Sequence, residues 1–492
     1  MDALNISAAL PEILLLVSAC LVLLVDVLRK PAEGQESRID RFALAVLLLP
    51  AAALILQFGN PPQSAFGGMY VADTLGLVLK LASLIAVAAT LIYARDYVGD
   101  RGMHRGELYA LALFALLGQM VMISAGNLLV VYLGLELMSL SLYALAALRR
   151  DHPVSTEAAI KYFVLGALAS GFLLYGMSMI YGGTGTLDLD RIAQTLSSRS
   201  TANQTVMVFG LVFVVAGLAF KFGAVPFHMW VPDVYQGTPT VATLMIASAP
   251  KLATFAIALR ILAEALPDVA PDWQQMLLVL SVLSMVLGNL VAIAQTNLKR
   301  MLAYSTIAQI GFVLLGMLSG VVSGKTDGMA DAWSASMFYL LAYVLTTLGS
   351  FGVVLLISRA GTESEEIADL RGLSRRSPAL AFVLLILMFS LAGIPPTVGF
   401  YAKLAVLQAV VKAGYLWLAV LAVMVSLVGA FYYLRIIKTV YFDEATEATP
   451  IAPRPAAQAL MAVNGAAVLV LGLLPGPLMA ICSVAVKEAF GL

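Results

Sequence analysis

Charge is what this sequence has least of. Of its 492 residues, 12% are Asp, Glu, Lys or Arg, while 61% are hydrophobic, and the mean hydropathy is +0.94. A soluble domain carries about 25% charged residues, so water is not the main solvent for this surface. The 29 Lys+Arg and 29 Asp+Glu cancel, which argues against an electrostatic nucleic-acid binder. Cysteine is scarce too: Cys20 and Cys482 stand apart, each in an apolar run. With three histidines and no Cys/His ligand spacing, nothing supports a metal or haem site. A Gly-rich dinucleotide fingerprint is also lacking. The N-terminus has no basic n-region, and its apolar run outlasts a typical h-region. It reads as a first spanning helix retained in the mature protein.

Long apolar runs fill the space that charge leaves. A spanning helix needs about 20 mostly apolar residues. Runs of that kind fall at 10–28, 40–57, 72–93, 108–125, 127–148, 157–182, 203–236, 239–263, 274–295, 300–320, 334–358, 378–413, 416–441 and 456–485. They predict an all-α integral membrane protein of about fourteen transmembrane helices, numbered here in order of crossing. Helices 7 and 12 are too long for one straight passage. Helix 7 is interrupted by Gly223-Ala224-Val225-Pro226 and helix 12 by Gly393-Ile394-Pro395-Pro396. Proline removes a backbone donor and glycine loosens a helix, so both should break near mid-bilayer.

Lys and Arg in short loops set the orientation. Arg29, Lys30, Arg38 and Arg41 follow helix 1, Arg95, Arg101 and Arg105 follow helix 3, and Arg149 and Arg150 follow helix 5. Arg359, Arg371, Arg375 and Arg376 follow helix 11, whereas the connections after helices 2 and 4 carry none. Odd-numbered loops are therefore expected in the cytoplasm and both termini on the outer, periplasmic side. The segment 361–378 reads as a solvated cytoplasmic connection, and 443–455 as a linker into the last helix.

The two interruptions suggest a repeat. Gly223 and Gly393 lie 170 residues apart, close to the offset between the starts of helices 4 and 9. The expected organisation is helices 1–3 over 1–107, a first five-helix unit over 108–263 (helices 4–8), a second over 274–441 (helices 9–13), and helix 14 over 456–492. Five is odd, so the second unit enters the membrane inverted, a plan that places function near the breaks.

The few charges that lie inside the helices are the candidate functional residues. Glu136 is mid-span in helix 5, and Lys221 lies two residues before the first break. Lys251 is near the centre of helix 8, and Lys403 follows the second break. Lys161, Lys299 and His228 are further contributors. Each central Lys or Asp costs about 3 kcal/mol on the insertion scale, so such residues must face the bundle interior, pair, or contact water. Lys80, Lys161 and Lys299 read equally well as snorkelling or structurally paired charges. So does His228 as a histidine packed beside Trp230.

Three lysines and a glutamate suit protons better than a bulky solute. Burial makes a lysine give up its proton more readily than it does in water. A carboxylate drawn close opposes that by about 4 kcal/mol at 4 Å and under 2 at 10 Å, at an effective dielectric of about 20. Moving Glu136 relative to Lys221 would thus switch the lysine between holding and releasing a proton.

The motifs around these residues carry a resemblance. They are GLELMSLSLYAL with Glu136, KFGAVPFHMWVPDVYQGTPT with Lys221 and His228, SAPKLATF with Lys251, LKRMLAYSTIAQIGF with Lys299, and SLAGIPPTVGFYAKL with Lys403. Together, and over essentially the whole chain, they resemble the subunit N family of bacterial proton-pumping NADH–quinone oxidoreductase (respiratory complex I). That family is related to the multi-subunit sodium/proton antiporters. The resemblance implies a fourteen-helix antiporter-like fold in which Glu136, Lys221, Lys251 and Lys403 form a hydrated polar axis. Lysine at 403 fits subunit N better than subunit M, and the lack of a long extra C-terminal helix argues against subunit L.

It further implies a translocase subunit of the bacterial inner membrane that does no redox chemistry itself. FMN, iron–sulfur clusters and quinone would belong to other subunits. Its partners would be neighbouring antiporter-like and other membrane-arm subunits and the lipid bilayer, with no nucleic acid. A stand-alone multi-subunit cation/proton antiporter would use the same lysines without a redox partner. A structural scaffold of the membrane arm would not use them at all.

Overall fold

Several of the apolar runs begin as helices at a polar cap. Asp73 accepts the Gly76 N–H at the head of helix 3, and Asn127 and Asn297 accept the Leu129 and Arg300 N–H groups at the heads of helices 5 and 10. Each cap satisfies one of the orphan donors of a first turn. The computed structural model describes residues 5–28, 39–103, 106–198, 204–322, 325–326, 328–358, 363–445, 451 and 454–492. Arg29, Lys30, Arg38, Arg105 and Arg359 lie outside the described residues.

Among the described residues, thirteen helices are long and apolar enough to cross a membrane. The further crossing, helix 12, is made of two short halves, Pro378–Ala392 and Val398–Lys412. Helix 7 is likewise split into Gln204–Phe222 and Trp230–Gly237. Helices 8 (Thr240–Ala265), 10 (Leu298–Leu318) and 11 (Met329–Ile357) are almost wholly buried, while helices 1, 13 and 14 leave most of their residues outside. The core thus lies around helices 8, 10 and 11, and the broken helices flank it.

Helix pairs 4–5 and 9–10 pack backbone to backbone. A Cβ on Gly118 would meet Met138 N at 2.4 Å, and one on Gly288 would meet Ala308 N at 2.6 Å. All four residues keep the 170-residue offset of the two breaks. The caps keep it as well: Asn127 and Asn297 are 170 apart, and the residue after each donates its N–H to the connection that follows helix 6 or helix 11 (Leu128 to Leu187 O, Leu298 to Glu365 O).

The connections sort by parity. Arg101, after helix 3, and Arg149, after helix 5, both reach Glu363, after helix 11, at 2.9 Å. On the opposite face Asp73, before helix 3, meets Arg260 of helix 8.

Three features depart from the expected spans. The last one, 456–485, is two helices, Pro455–Leu473 and Gly476–Ala489, because Pro475 interrupts the ladder after Leu474. The second of these packs against helices 3 and 11, and its Glu488 accepts from the N–H and hydroxyl of Thr74 at 3.0 and 2.6 Å. Helix 8 is interrupted at Ser248 (φ −107°, ψ −97°) and ends in a π-helical turn, Leu259–Ala265. A small antiparallel hairpin, Gln63–Ala65 with Tyr70–Ala72, and a short amphipathic helix, Leu189–Ser197, lie in the connections.

Candidate functional site

The first break is made by a glycine no other residue could replace freely. Gly223 has φ +78°, and a Cβ there would lie 2.7 Å from Val231 Cγ2. The chain turns out of the helix, and Val225 N–H is taken up by Ser284 Oγ of helix 9 at 2.9 Å. The last carbonyls of the first half are left without intrahelical partners and carry the negative end of its dipole. Lys251, 1% exposed, fills that need: its Nζ donates to Lys221 O at 3.0 Å and Phe222 O at 2.7 Å. The ammonium also lies 5.5 Å from the centre of the Trp230 ring, within cation–π range.

Lys221 turns the other way. Its Nζ donates to Ser139 Oγ of helix 5 at 2.8 Å and lies 6.0 Å from the Tyr143 ring centre. Glu136 is three residues before Ser139, so the two share one helix face. Glu136 is half-buried, and its Oε1 is buried with no hydrogen-bond partner. Among the described residues no ion pair within 4 Å joins Glu136 to Lys221. Ser139 stands at the lysine instead.

The second break repeats the device with a different donor. Gly393 has φ +82°, and Lys403, from the second half of helix 12, folds back onto the first. Its Nζ donates to Leu391 O at 3.2 Å, Ala392 O at 2.9 Å, and Ser426 Oγ of helix 13 at 2.6 Å. Phe312 of helix 10 presents its ring 5.2 Å below the ammonium. Each broken end therefore holds a lysine ammonium on two carbonyls.

The segment that carries both breaks is the one a family model covers. Residues 125–429, which include both breaks, match the family model described as NADH:quinone oxidoreductase/Mrp antiporter, TM. The chain belongs to this family. It is 57% identical to the NADH-quinone oxidoreductase subunit N of Herminiimonas arsenicoxydans over 491 residues, 99% of each chain. Its fold superposes on a chain of respiratory complex I from Thermus thermophilus with a TM-score of 0.81, at 36% identity over 96% of this chain and 100% of that one. A chain of an archaeal membrane-bound sulfane sulfur reductase matches with a TM-score of 0.85 and 26% identity, covering 98% of this chain and 97% of that chain.

Within this NADH:quinone oxidoreductase/Mrp antiporter fold, Lys161 and Lys299 sit apart from the two break lysines, whereas His228 lies inside the first break. Lys161 is partly exposed and paired with Glu157 and with Asp233, both at 2.8 Å, and Asp233 also receives Arg300 at 2.8 Å. Lys299 is buried and donates to Thr238 O at 2.8 Å and Glu365 at 2.7 Å. His228 is half-buried, and its Nδ1 is buried without a partner. Lys80, 1% exposed, is paired with Glu12 at 2.6 Å and with the Tyr70 hydroxyl at 2.8 Å. Burial pushes the Tyr70 hydroxyl up to about 12, so it meets Glu12 as a neutral phenol throughout the neutral range.

Sequence reasoning missed the buried Arg260. Its guanidinium holds both Asp73 oxygens at 2.9–3.0 Å, the Ile123 carbonyl at 2.8 Å, and Glu264 at 3.5 Å. The signal was present, since an arginine inside IALRILAEAL breaks the same bilayer rule as the lysines.

Proposed function

We propose that Glu136, Lys221, Lys251 and Lys403 carry the proton path of this chain. The chain is a proton-translocating subunit of the N type in a bacterial NADH-quinone oxidoreductase, a multi-pass protein of the membrane arm. NADH:quinone electron transfer in other subunits, where FMN, iron–sulfur clusters and quinone are bound, drives the path. Neighbouring antiporter-like subunits pass the charge rearrangement along.

The observation that carries this reading is the contact of Lys251 with the backbone of Lys221. It gathers two candidate residues from different helices at one broken helix end, in a region that is otherwise apolar. Such charges persist inside a membrane where they line an ion path. The unpartnered Glu136 oxygen faces the same helix face as Ser139, one turn from Lys221. A shift of helix 5 against helix 7 would change the distance between carboxylate and ammonium, and with it the hold on the proton.

The matched offsets of caps, glycines and breaks support reading helices 4–8 and 9–13 as two inverted units. The grouping of odd-numbered connections on one face, with their arginines, supports a cytoplasmic position for that face and periplasmic termini.

The test is proton pumping by the assembled enzyme in vesicles. Lys221→Ala is expected to lose pumping, with or without loss of quinone reduction. Pumping at the wild-type ratio would refute the path and favour a scaffold.

A further inference from the structure

Lys403 does not have the Leu391 carbonyl to itself. Gln309 of helix 10 donates Nε2 to the same oxygen at 3.0 Å. A carbonyl offers two lone pairs, so lysine and glutamine occupy both. Gln309 is in turn clamped on its remaining sides. Nε2 also reaches the Tyr433 hydroxyl at 3.1 Å, and Oε1 accepts from the Tyr339 hydroxyl. Tyr433 is tied onward to Ser305 Oγ. Every one of these groups is buried. An amide held at three points cannot turn away to release the carbonyl without leaving buried polar atoms unpaired.

Helix 10 also reaches the lysine itself. Phe312, one turn beyond Gln309, lies under the Lys403 ammonium and stacks on Tyr339, with ring centres 5.6 Å apart and an interplanar angle of 7°. Helix 10 also packs against the second halves of both broken helices. Gln309 lies 170 residues after Ser139, the offset that also relates the two helix caps and the two tight glycines. Ser139 grips the Lys221 ammonium itself, whereas Gln309 grips the carbonyl that Lys403 needs.

We propose that Gln309, clamped by Tyr339 and Tyr433, is a positioning residue that limits how firmly Lys403 binds the broken end of helix 12. The inference rests on the reading of Lys403 as part of the proton path. With Gln309 in place, the lysine shares its acceptor and its hold stays weak enough to exchange a proton. Without Gln309, Leu391 O is free to take the ammonium alone, and hydrogen bonds to the charged form favour that form.

The experiment compares Gln309→Met, Gln309→Asn, Tyr433→Phe and Lys403→Ala in the assembled enzyme reconstituted in vesicles. Protons translocated per quinone reduced are followed across pH, with KM for quinone measured alongside. Gln309→Met fills a similar volume without polar atoms. It is expected to lower pumping by about fivefold, the equivalent of one buried hydrogen bond. It should also displace the pH profile by about half a unit or more, with KM for quinone unchanged. Gln309→Asn, which keeps the amide one carbon shorter, should recover part of the loss. Tyr433→Phe should displace the profile in the same direction by less. A wild-type ratio and profile in Gln309→Met overturns the inference if Lys403→Ala is defective. If Lys403→Ala also pumps normally, the proton-path reading fails first. Should Gln309→Met not assemble, an unchanged profile in Tyr433→Phe overturns the inference by itself.

Discussion

Lys251 holds the backbone of Lys221: its ammonium is 3.0 Å from the Lys221 carbonyl oxygen, while the Lys221 side chain points to Ser139. One lysine therefore anchors the peptide from which the other projects. Any change in the charge of Lys251 alters its grip on the end of helix 7 and so the place from which Lys221 reaches out. A static row of charges would lack this coupling through the backbone.

Lys251→Met keeps the side chain out to Cε and removes the ammonium. The Lys221 and Phe222 carbonyls then lose their donor in a buried site, at about 1–3 kcal/mol for each unsatisfied group. Pumping is expected to fall by more than about tenfold on that scale. Lys251→Arg, which can still donate, should retain part of it. Vesicle pumping normalised to the amount of assembled enzyme checks both.

Arg260→Met leaves Asp73 buried without its counter-ion, and stripping one partner from a buried pair costs about 3–5 kcal/mol. The thermal midpoint of the assembled membrane arm should drop and the yield with it. Arg260→Met combined with Asp73→Asn should recover much of the loss, because the uncompensated charge is then gone. If the double variant is no better than the single one, the pair is not what holds this corner.

Gly118→Ala and Gly288→Ala should behave alike. In each, a new Cβ meets a backbone nitrogen of the neighbouring helix at 2.4–2.6 Å, and overpacking of this kind costs about 1–3 kcal/mol. Both should lower the yield of assembled enzyme in a detergent-extraction assay. A harmless Gly288→Ala would mean that helices 9 and 10 separate more easily than helices 4 and 5.

Glu363→Gln tests the cluster that joins the connections after helices 3, 5 and 11. Glu363 Oε1 accepts from Arg101, Arg149 and the Tyr97 hydroxyl, each at 2.9 Å, with 25% of its side chain exposed and only 7% of Arg101. Hydrogen bonds to a charged group in such a mostly buried cluster contribute about 1.5–3 kcal/mol. The thermal midpoint of the assembled enzyme should fall, and high salt should change the shift little.

How much of this was legible in the sequence depended on whether a residue offended the bilayer. Glu136, Lys221, Lys251 and Lys403 stood out because charge inside an apolar run is costly, and the breaks stood out because glycine and proline punctuate helices. The division into helices followed from length alone. Gln309, Tyr339 and Tyr433 gave no such warning. They are uncharged, spread over three helices, and their main acceptor is a backbone carbonyl that no side-chain pattern records. The interruption at Ser248 and the split of the last helix were hidden for a related reason: the apolar count runs on through Pro250 and Pro475, and hydropathy does not register one missing donor. The sequence named Glu136 as a partner that moves relative to Lys221, but it gave no sign that Ser139, one turn along the same helix, takes the ammonium.

Glu488 caps Thr74 across 414 residues. During synthesis helix 3 enters the membrane with its local Asp73 cap, but the Thr74 N–H and hydroxyl must wait for almost the whole chain to emerge. Closure of that contact therefore reports that the intervening helices are in place. A chain arrested after helix 13 would leave the Thr74 donors without Glu488 and a groove open between helices 3 and 11.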